Sequence, residues 1–240
     1  MKKNHNIKKP CIFGVALGPG DPDLITVKGL DILKTVDVIY YPGALFSSGR
    51  KSSYALSIME QYDLDLQKCK GFYLAMNLDR TAAELTYSNA FEYILSDYKA
   101  GRSIAIVSEG DISTYSSFAY LLRRIKKHHL EVELVPGISS YSLAAAQQQI
   151  PLCLQDEPLI ILPRVQDKGI LEEALAAFSC LVLMKIKSSI GLIQEVLSQH
   201  ENAEIYYFER LGTAQQFMST NWNEIMNRDI PYFSLIIVRI

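Results

Sequence analysis

Short apolar runs at residues 11–17, 36–41, 72–74, 103–107 and 132–135 alternate with stretches of helical periodicity, and this alternation is the strongest constraint on the fold. Strands separated by helices pair in parallel, because each helix carries the chain back across the sheet, so the first half reads as an α/β domain. Residues 11–17 carry no charge and suit a strand buried on both faces. A helix is expected over 26–36, where Val27, Leu30, Leu33 and Val36 share one face and Thr26 stands in the N-cap position. The clearest helix runs over 81–98, with Tyr87, Ala90, Phe91, Ile94 and Tyr98 in one stripe and Gly101 placed to end it. Tyr115, Phe118, Leu122 and Ile125 repeat the spacing. That helix closes on Arg123, Arg124, Lys126, Lys127, His128 and His129, a basic end that complements the helix dipole in solvent.

After Ile150-Pro151 the pattern changes. Runs at 159–162, 181–185, 205–208 and 234–238, with fewer helices between them, predict a second domain of mixed α+β type. The change falls between Gly137 and Pro151, which gives expected domains at 1–137 and 138–240, with the helix over 139–148 able to join either. A chain of 240 residues is long enough to bury a substantial core as one large α/β domain or as two small ones sharing a cleft.

Charge and cysteine usage narrow the partners. Lys and Arg number 24 against 26 Asp and Glu, for a net charge of -2, where a nucleic-acid binder shows a basic excess on one face. Small-molecule partners are expected, and no nucleic acid. Cys11, Cys69, Cys153 and Cys180 are widely spaced, without a C-x-x-C pair or nearby histidines, so neither a disulfide framework nor a metal site is expected. Reduced thiols of this kind suit a cytoplasmic protein. The basic residues 1–9 read as a disordered tail, since the run after them is too short for a signal peptide. No stretch approaches the roughly 18 consecutive apolar residues of a membrane span.

The chemistry is expected in the turns. Gly18-Pro19-Gly20-Asp21-Pro22 ends the first strand with glycines and a carboxylate, which lets main chain approach a small molecule without intervening side chains. The same order of strand, glycine turn and helix returns at Ser108-Glu109-Gly110-Asp111-Ile112-Ser113-Thr114-Tyr115 and at Val135-Pro136-Gly137-Ile138-Ser139-Ser140. Each turn taken alone has a plainer reading, in which Asp111, Ser113 or Ser139 caps the following helix. Together they hold few cations, which speaks against a di- or triphosphate. G-x-G-x-x-G and Walker A spacings are both missing, which counts against a nicotinamide oxidoreductase. A cofactor with hydroxyls, an amine and a positive centre suits these carboxylates and carbonyls better.

Three ordered turns of this kind resemble those of the tetrapyrrole methylases, which transfer a methyl group from S-adenosylmethionine to carbons of corrin precursors and related rings. Gly18-Pro19-Gly20-Asp21 with Leu24-Ile25-Thr26-Val27-Lys28-Gly29 is similar to the family's opening signature, Glu109-Gly110-Asp111 to its second and Val135-Pro136-Gly137-Ile138-Ser139-Ser140 to its third. The resemblance covers almost the whole chain. Tyr41-Pro42, Ser108-Glu109-Gly110-Asp111 and Ile150-Pro151-Leu152 followed by Asp156-Glu157 point, within the family, to C(20) of precorrin-2 or cobalt-factor II in cobalamin (vitamin B12) biosynthesis. Ile112 departs from the family's usual proline. Loss of the fixed φ is expected to loosen that loop while the turn survives.

The resemblance implies a two-domain α/β architecture, a parallel-sheet N-terminal domain and a mixed-sheet α+β C-terminal domain, with S-adenosylmethionine in the cleft between and S-adenosylhomocysteine as product. It implies cofactor contacts from Pro19, Glu109, Gly110, Asp111, Thr114, Ser139, Ser140, Met184, Leu211 and Gly212. Read alone, Met184 is core packing and Glu209-Arg210 a surface ion pair. Glu109 and Tyr115 flank the cofactor loop as candidate catalytic groups, or else as hydrogen-bonding and packing residues. Tyr40, Tyr41, Arg80, Arg164 and Arg210 are candidates for the polycarboxylate ring. No protein-bound metal is expected, since any cobalt would arrive inside the substrate, and a homodimer is expected. Two alternatives stay open: a sister methyltransferase acting at another ring position, and a non-catalytic sensor that binds a nucleoside or tetrapyrrole.

Overall fold

The computed structural model describes residues 10–75 and 80–240, apart from the side chain of Arg80. The basic tail at 1–9, read above as disordered, and the Arg80 side chain lie outside the described residues. The chain divides into two compact units, Met1–Ser139 and Ser140–Ile240.

In chain order the first unit contains β1 (Cys11–Ala16), α1 (Val27–Thr35), β2 (Val38–Leu45), β3 (Lys51–Ser52), α2 (Tyr54–Met59), β4 (Cys69–Ala75), α3 (Arg80–Lys99), β5 (Ser103–Ser108), α4 (Phe118–Lys127) and β6 (Val132–Val135). The pairings β4–β2, β2–β5, β5–β1 and β1–β6 are all parallel. The two-residue β3 pairs antiparallel with the end of β2. Period-2 alternation sends successive residues to opposite faces. Ile12, Tyr40, Ile104 and Ile106 pack with Ala90, Phe91 and Ile94 of α3 and Phe118, Leu121 and Ile125 of α4. Phe13, Val15, Ile39, Tyr41 and Val107 pack with Ile32 and Leu33 of α1 and Ala55, Ile58 and Met59 of α2. Helices therefore cover both faces, as a parallel sheet requires.

Thr26 caps α1 as expected, its Oγ1 accepting from Gly29 N–H at 3.1 Å. Helix α4 starts later than its apolar spacing predicts. Tyr115 is 49% exposed and has φ 52°, outside the helical region, and the buried stripe is Phe118, Leu121 and Ile125 rather than one through Leu122. The residues before Phe118 are held as a loop by hydrogen bonds described below. Tyr40 and Tyr41, candidates for the ring, are core residues instead. Tyr40 Oη donates to Asp97 at 2.7 Å, and Asp97 also receives Lys70 at 2.7 Å and Arg102 at 2.8 Å. The Tyr41 and Tyr73 hydroxyls pair at 3.0 Å.

The second unit contains α5 (Ser140–Gln148), β7 (Leu159–Leu162), α6 (Lys168–Ala177), β8 (Cys180–Met184), α7 (Ile190–Leu197), β9 (Glu204–Glu209), β10 (Phe217–Ser219), α8 (Trp222–Met226) and β11 (Ser234–Arg239). Its sheet runs β10-β9-β11-β8-β7. Only β7 and β8 are parallel, which makes the sheet mixed. Helices α6, α7 and α8 do intervene between strands, contrary to the sparse-helix expectation; they have ten, eight and five residues, too short for a clear amphipathic signal. Among the described residues no helix is long and apolar enough to cross a membrane.

Candidate functional site

Strand β1 lies between β5 and β6, so the loops that follow these strands leave the sheet side by side at its C-terminal edge. Main chain joins the first two. Gly18 N–H donates to the Gly110 carbonyl at 3.2 Å, and Gly110 N–H donates back to the Gly18 carbonyl at 2.7 Å. Gly110 sits at φ 66°, a conformation that glycine adopts without strain. The third loop closes on the other two at Gly137. A Cβ there would fall 2.6 Å from the Ala16 Cβ and 2.8 Å from the Gly110 carbonyl oxygen, so only glycine fits. Above Gly110 a Cβ would meet nothing within 4 Å, leaving bare main chain with open space in front of it.

Asp111 ties the second loop internally and to the third. Its Oδ1 accepts from the Ser113 amide at 2.9 Å, from the Ser113 hydroxyl and from Thr114 Oγ1 at 3.2 Å, while Oδ2 accepts from Gly137 N–H at 3.1 Å. Desolvation works against the charged form, but these hydrogen bonds outweigh it and hold the carboxyl below its ordinary range. Asp111 and Ser113 therefore do not cap α4; Ser116 Oγ accepts from the first helical amide, Phe118 N–H, at 3.2 Å. Ile112, which stands where the family usually has proline, is 5% exposed and packs with Phe118 in the core.

Glu109 is half-buried, and desolvation raises its pKa against hydrogen bonds from its own backbone amide and that of Ala55. The loop after β1 is buried at Pro19 and Gly20, and the Pro19 carbonyl accepts from Tyr54 Oη at 3.2 Å. Pro19, Glu109, Gly110, Asp111 and Thr114 thus share one edge of the first sheet, with Tyr115 exposed beside them. Ser139, 8% exposed, ends this unit, and Ser140 opens α5 in the next.

In the second unit, register places Met184 opposite Leu235, Leu235 opposite Phe208 and Ser234 opposite Glu209, so Met184 and the Leu211-Gly212 turn leave the same sheet edge. Met184 is half-buried and Leu211 is 5% exposed. Gly212, at φ 74°, donates its N–H to Gln216 Oε1 at 2.8 Å. The expected Glu209–Arg210 surface pair is absent. Glu209 is buried and pairs with Arg228 through contacts of 2.6 and 3.3 Å, while Arg210 turns to Gln215 at 3.0 Å. Arg210 lies just past the end of β9 at φ 49°, where the backbone leaves the strand, so adjacency in sequence is a poor guide to pairing. Arg164 is exposed after β7. Lys185, after β8, has its pKa lowered by desolvation and then by the neighbouring charge of Arg164. Neither has a carboxylate within ion-pair distance among the described residues.

The residues that sequence reasoning missed are Tyr54 and Tyr62, whose hydroxyls reach the loop after β1. The one local signal for them is Ser53, a serine in the N-cap position of a short helix.

The chain is 36% identical over 203 residues to the protein named probable cobalt-precorrin-2 C(20)-methyltransferase in Methanocaldococcus jannaschii, covering 85% of this chain and 81% of that protein. It is 28% identical over 231 residues to cobalt-precorrin-2 C(20)-methyltransferase of Salmonella typhimurium, covering 95% of each. Against the cobalamin biosynthesis protein CobIJ of Mycobacterium tuberculosis it is 33% identical, but it spans about half of that relative, 93% of this chain against 45% of the other. The fold matches the structure of uroporphyrin-III C-methyl transferase from Thermus thermophilus complexed with S-adenyl homocysteine, with a TM-score of 0.64, 16% identity, and 95% and 96% of the two chains covered. The family of Tetrapyrrole (Corrin/Porphyrin) Methylases matches residues 12–225, and the chain belongs to it.

Proposed function

We propose that this protein transfers a methyl group from S-adenosylmethionine to C(20) of precorrin-2 or cobalt-factor II in cobalamin biosynthesis. The observation that carries the reading is the main-chain cradle of Gly18, Gly110 and Gly137, which presents backbone and carboxylates with open space above Gly110. That donor set fits S-adenosylmethionine: carbonyls and acids suit hydroxyls, an amine and a sulfonium, and few cations stand there to receive phosphate. The names of the relatives above supply the ring position.

The residues proposed to hold the cofactor are Pro19, Glu109, Gly110, Asp111, Thr114, Ser139, Ser140, Met184, Leu211 and Gly212. When bound, S-adenosylmethionine supplies a methyl group that is already activated. The protein's work is then mainly to align the reactants and exclude water. Asp111 keeps two loops in register through Gly137. Glu109, its pKa raised by burial, is the group proposed to take or hold a proton, and Tyr115, on the same loop, carries an exposed phenol. Arg164, Lys185 and Arg210 supply positive charge for a polycarboxylate ring. Its four free cysteines suit the cytoplasm, and a homodimer accords with the family resemblance.

The test is calorimetric titration with S-adenosylhomocysteine, followed by mass spectrometry of precorrin-2 and its cobalt form incubated with S-adenosylmethionine. Binding together with one added methyl, placed at C(20) by NMR, supports the reading. A methyl at another carbon assigns a sister activity, and binding without turnover assigns a sensor. Failure of the folded protein to bind the nucleoside removes the cofactor assignment.

A further inference from the structure

The loop after β1 contains Pro19 and Pro22, which have no N–H to donate, and between them Gly20 at φ 142°, a conformation side chains rarely adopt. Nothing covalent at Gly20 keeps the Pro19–Gly20 peptide plane from turning over, because glycine tolerates either orientation. The orientation matters, since that plane fixes where the Gly20 N–H points. Outside the loop stands α2. Ser53 anchors its start, accepting from Leu56 N–H at 3.0 Å and donating to the Pro42 carbonyl at 2.5 Å. Ala55, Ile58 and Met59 are buried against the sheet, so the helix is a fixed support.

From the first residue of this helix and from the turn just after its end, two phenols reach the loop. Tyr54 Oη donates to the Pro19 carbonyl at 3.2 Å, and Tyr62 Oη donates to the Pro22 carbonyl at 2.9 Å. The first bond acts on the carbonyl of the peptide plane that glycine leaves free. The same turn of helix also holds the second loop, since the Ala55 amide bonds the Glu109 carboxylate. Desolvation first, then the nearby carboxylates, push both phenols up to about 12, so both remain donors at neutral pH.

We propose that Tyr54 is a positioning residue that latches the Pro19–Gly20 peptide in one orientation and thereby sets affinity for S-adenosylmethionine, with Tyr62 fixing the far end of the same loop. The affinity part rests on the function proposed above; the latch itself does not.

The test compares wild type with Tyr54→Phe and Tyr62→Phe, which keep the rings and remove the hydroxyls. One neutral hydrogen bond lost predicts that Tyr54→Phe weakens S-adenosylhomocysteine binding and raises KM for S-adenosylmethionine about five- to tenfold. KM for the tetrapyrrole stays at the wild-type value. Tyr62→Phe has a smaller effect, about twofold, because Pro22 also accepts from Ile25 N–H at 3.4 Å. Amide hydrogen exchange gives the readout that a general loss of stability would not produce: Gly20 exchanges faster in Tyr54→Phe while Gly110 keeps its wild-type rate. Unchanged binding and unchanged Gly20 exchange in Tyr54→Phe overturn the proposal. Equal acceleration at Gly20 and Gly110 overturns it as well, because that marks general loosening. If wild type binds no nucleoside, the function proposed above fails, and faster exchange at Gly20 in the variant still upholds the latch.

Discussion

At the edge of the first sheet the loops after β1, β5 and β6 are joined to one another through main chain, whereas at the edge of the second sheet the groups that meet are side chains. Gly18, Gly110 and Gly137 bring peptide groups within hydrogen-bonding and van der Waals distance. Around the end of β9, Glu209 is instead satisfied by Arg228 and by the Tyr207 hydroxyl at 2.5 Å, while Arg164 and Lys185, after β7 and β8 further along the sheet, have no carboxylate within ion-pair distance among the described residues. The contrast separates shape from charge. A cradle of main chain has few ways to change without moving a strand, while a rim of charged side chains is altered one residue at a time.

Replacing Gly137 tests the first half most severely. Its Cβ must displace Ala16 or the Gly110 carbonyl, neither of which is a flexible side-chain end. Gly137→Ala is expected to cost about 1–3 kcal/mol in urea unfolding. It should also weaken S-adenosylhomocysteine binding by about 100-fold by calorimetry, since a misplacement of about 1 Å is enough for losses of that order. A variant that binds normally would mean that the three loops need not touch.

Asp111→Ala leaves the Gly137 and Ser113 amides without their acceptor, and a loss of about 1–3 kcal/mol is expected in the same unfolding assay. Asp111→Asn sharpens the point through pH. The folded carboxyl lies below its ordinary value of 3.8, so the stabilisation it gives is complete above that value and is lost as pH falls through the lower folded one. Wild type should therefore lose more stability than Asp111→Asn when acidified below pH 3.8.

In the second unit, Glu209→Gln removes the charge that holds Arg228 and should lower the melting temperature by several degrees in calorimetric scans. Nucleoside affinity should fall far less than in Gly137→Ala. An equal fall would erase the distinction between the two edges. The smallest effect on stability is expected for Lys185→Gln, within about 0.5 kcal/mol, because no ion pair is broken. Binding of uroporphyrin should nevertheless weaken, and binding of its octamethyl ester should not, as read by fluorescence quenching.

How much of this was legible in the sequence follows from how local each cause is. Strands and long helices of the first unit were readable because their apolar periods persist over many residues, and the glycine loops because close approach and positive φ leave a mark on residue type. Tyr115 matched a helical stripe by spacing alone, although its backbone lies at φ 52°. The three short helices and the three-residue β10 of the second unit are below the length at which periodicity shows. Nothing local relates Tyr54 to Pro19 or Glu209 to Arg228. Those pairs exist only once sheet order and register have been set.

The sheet order also dictates when the cradle comes into being. Strand β1 is made first but finds both its partners, β5 and β6, only near the end of the first unit, so its pairing has a long chain to close. Contacts of that kind form slowly, and an emerging chain carries an unpaired apolar strand until they do. Recovery of nucleoside binding after dilution from denaturant should accordingly trail the return of helix signal. A ribosome stalled before residue 132 should hold a chain with helices already formed and nowhere for a ligand to sit.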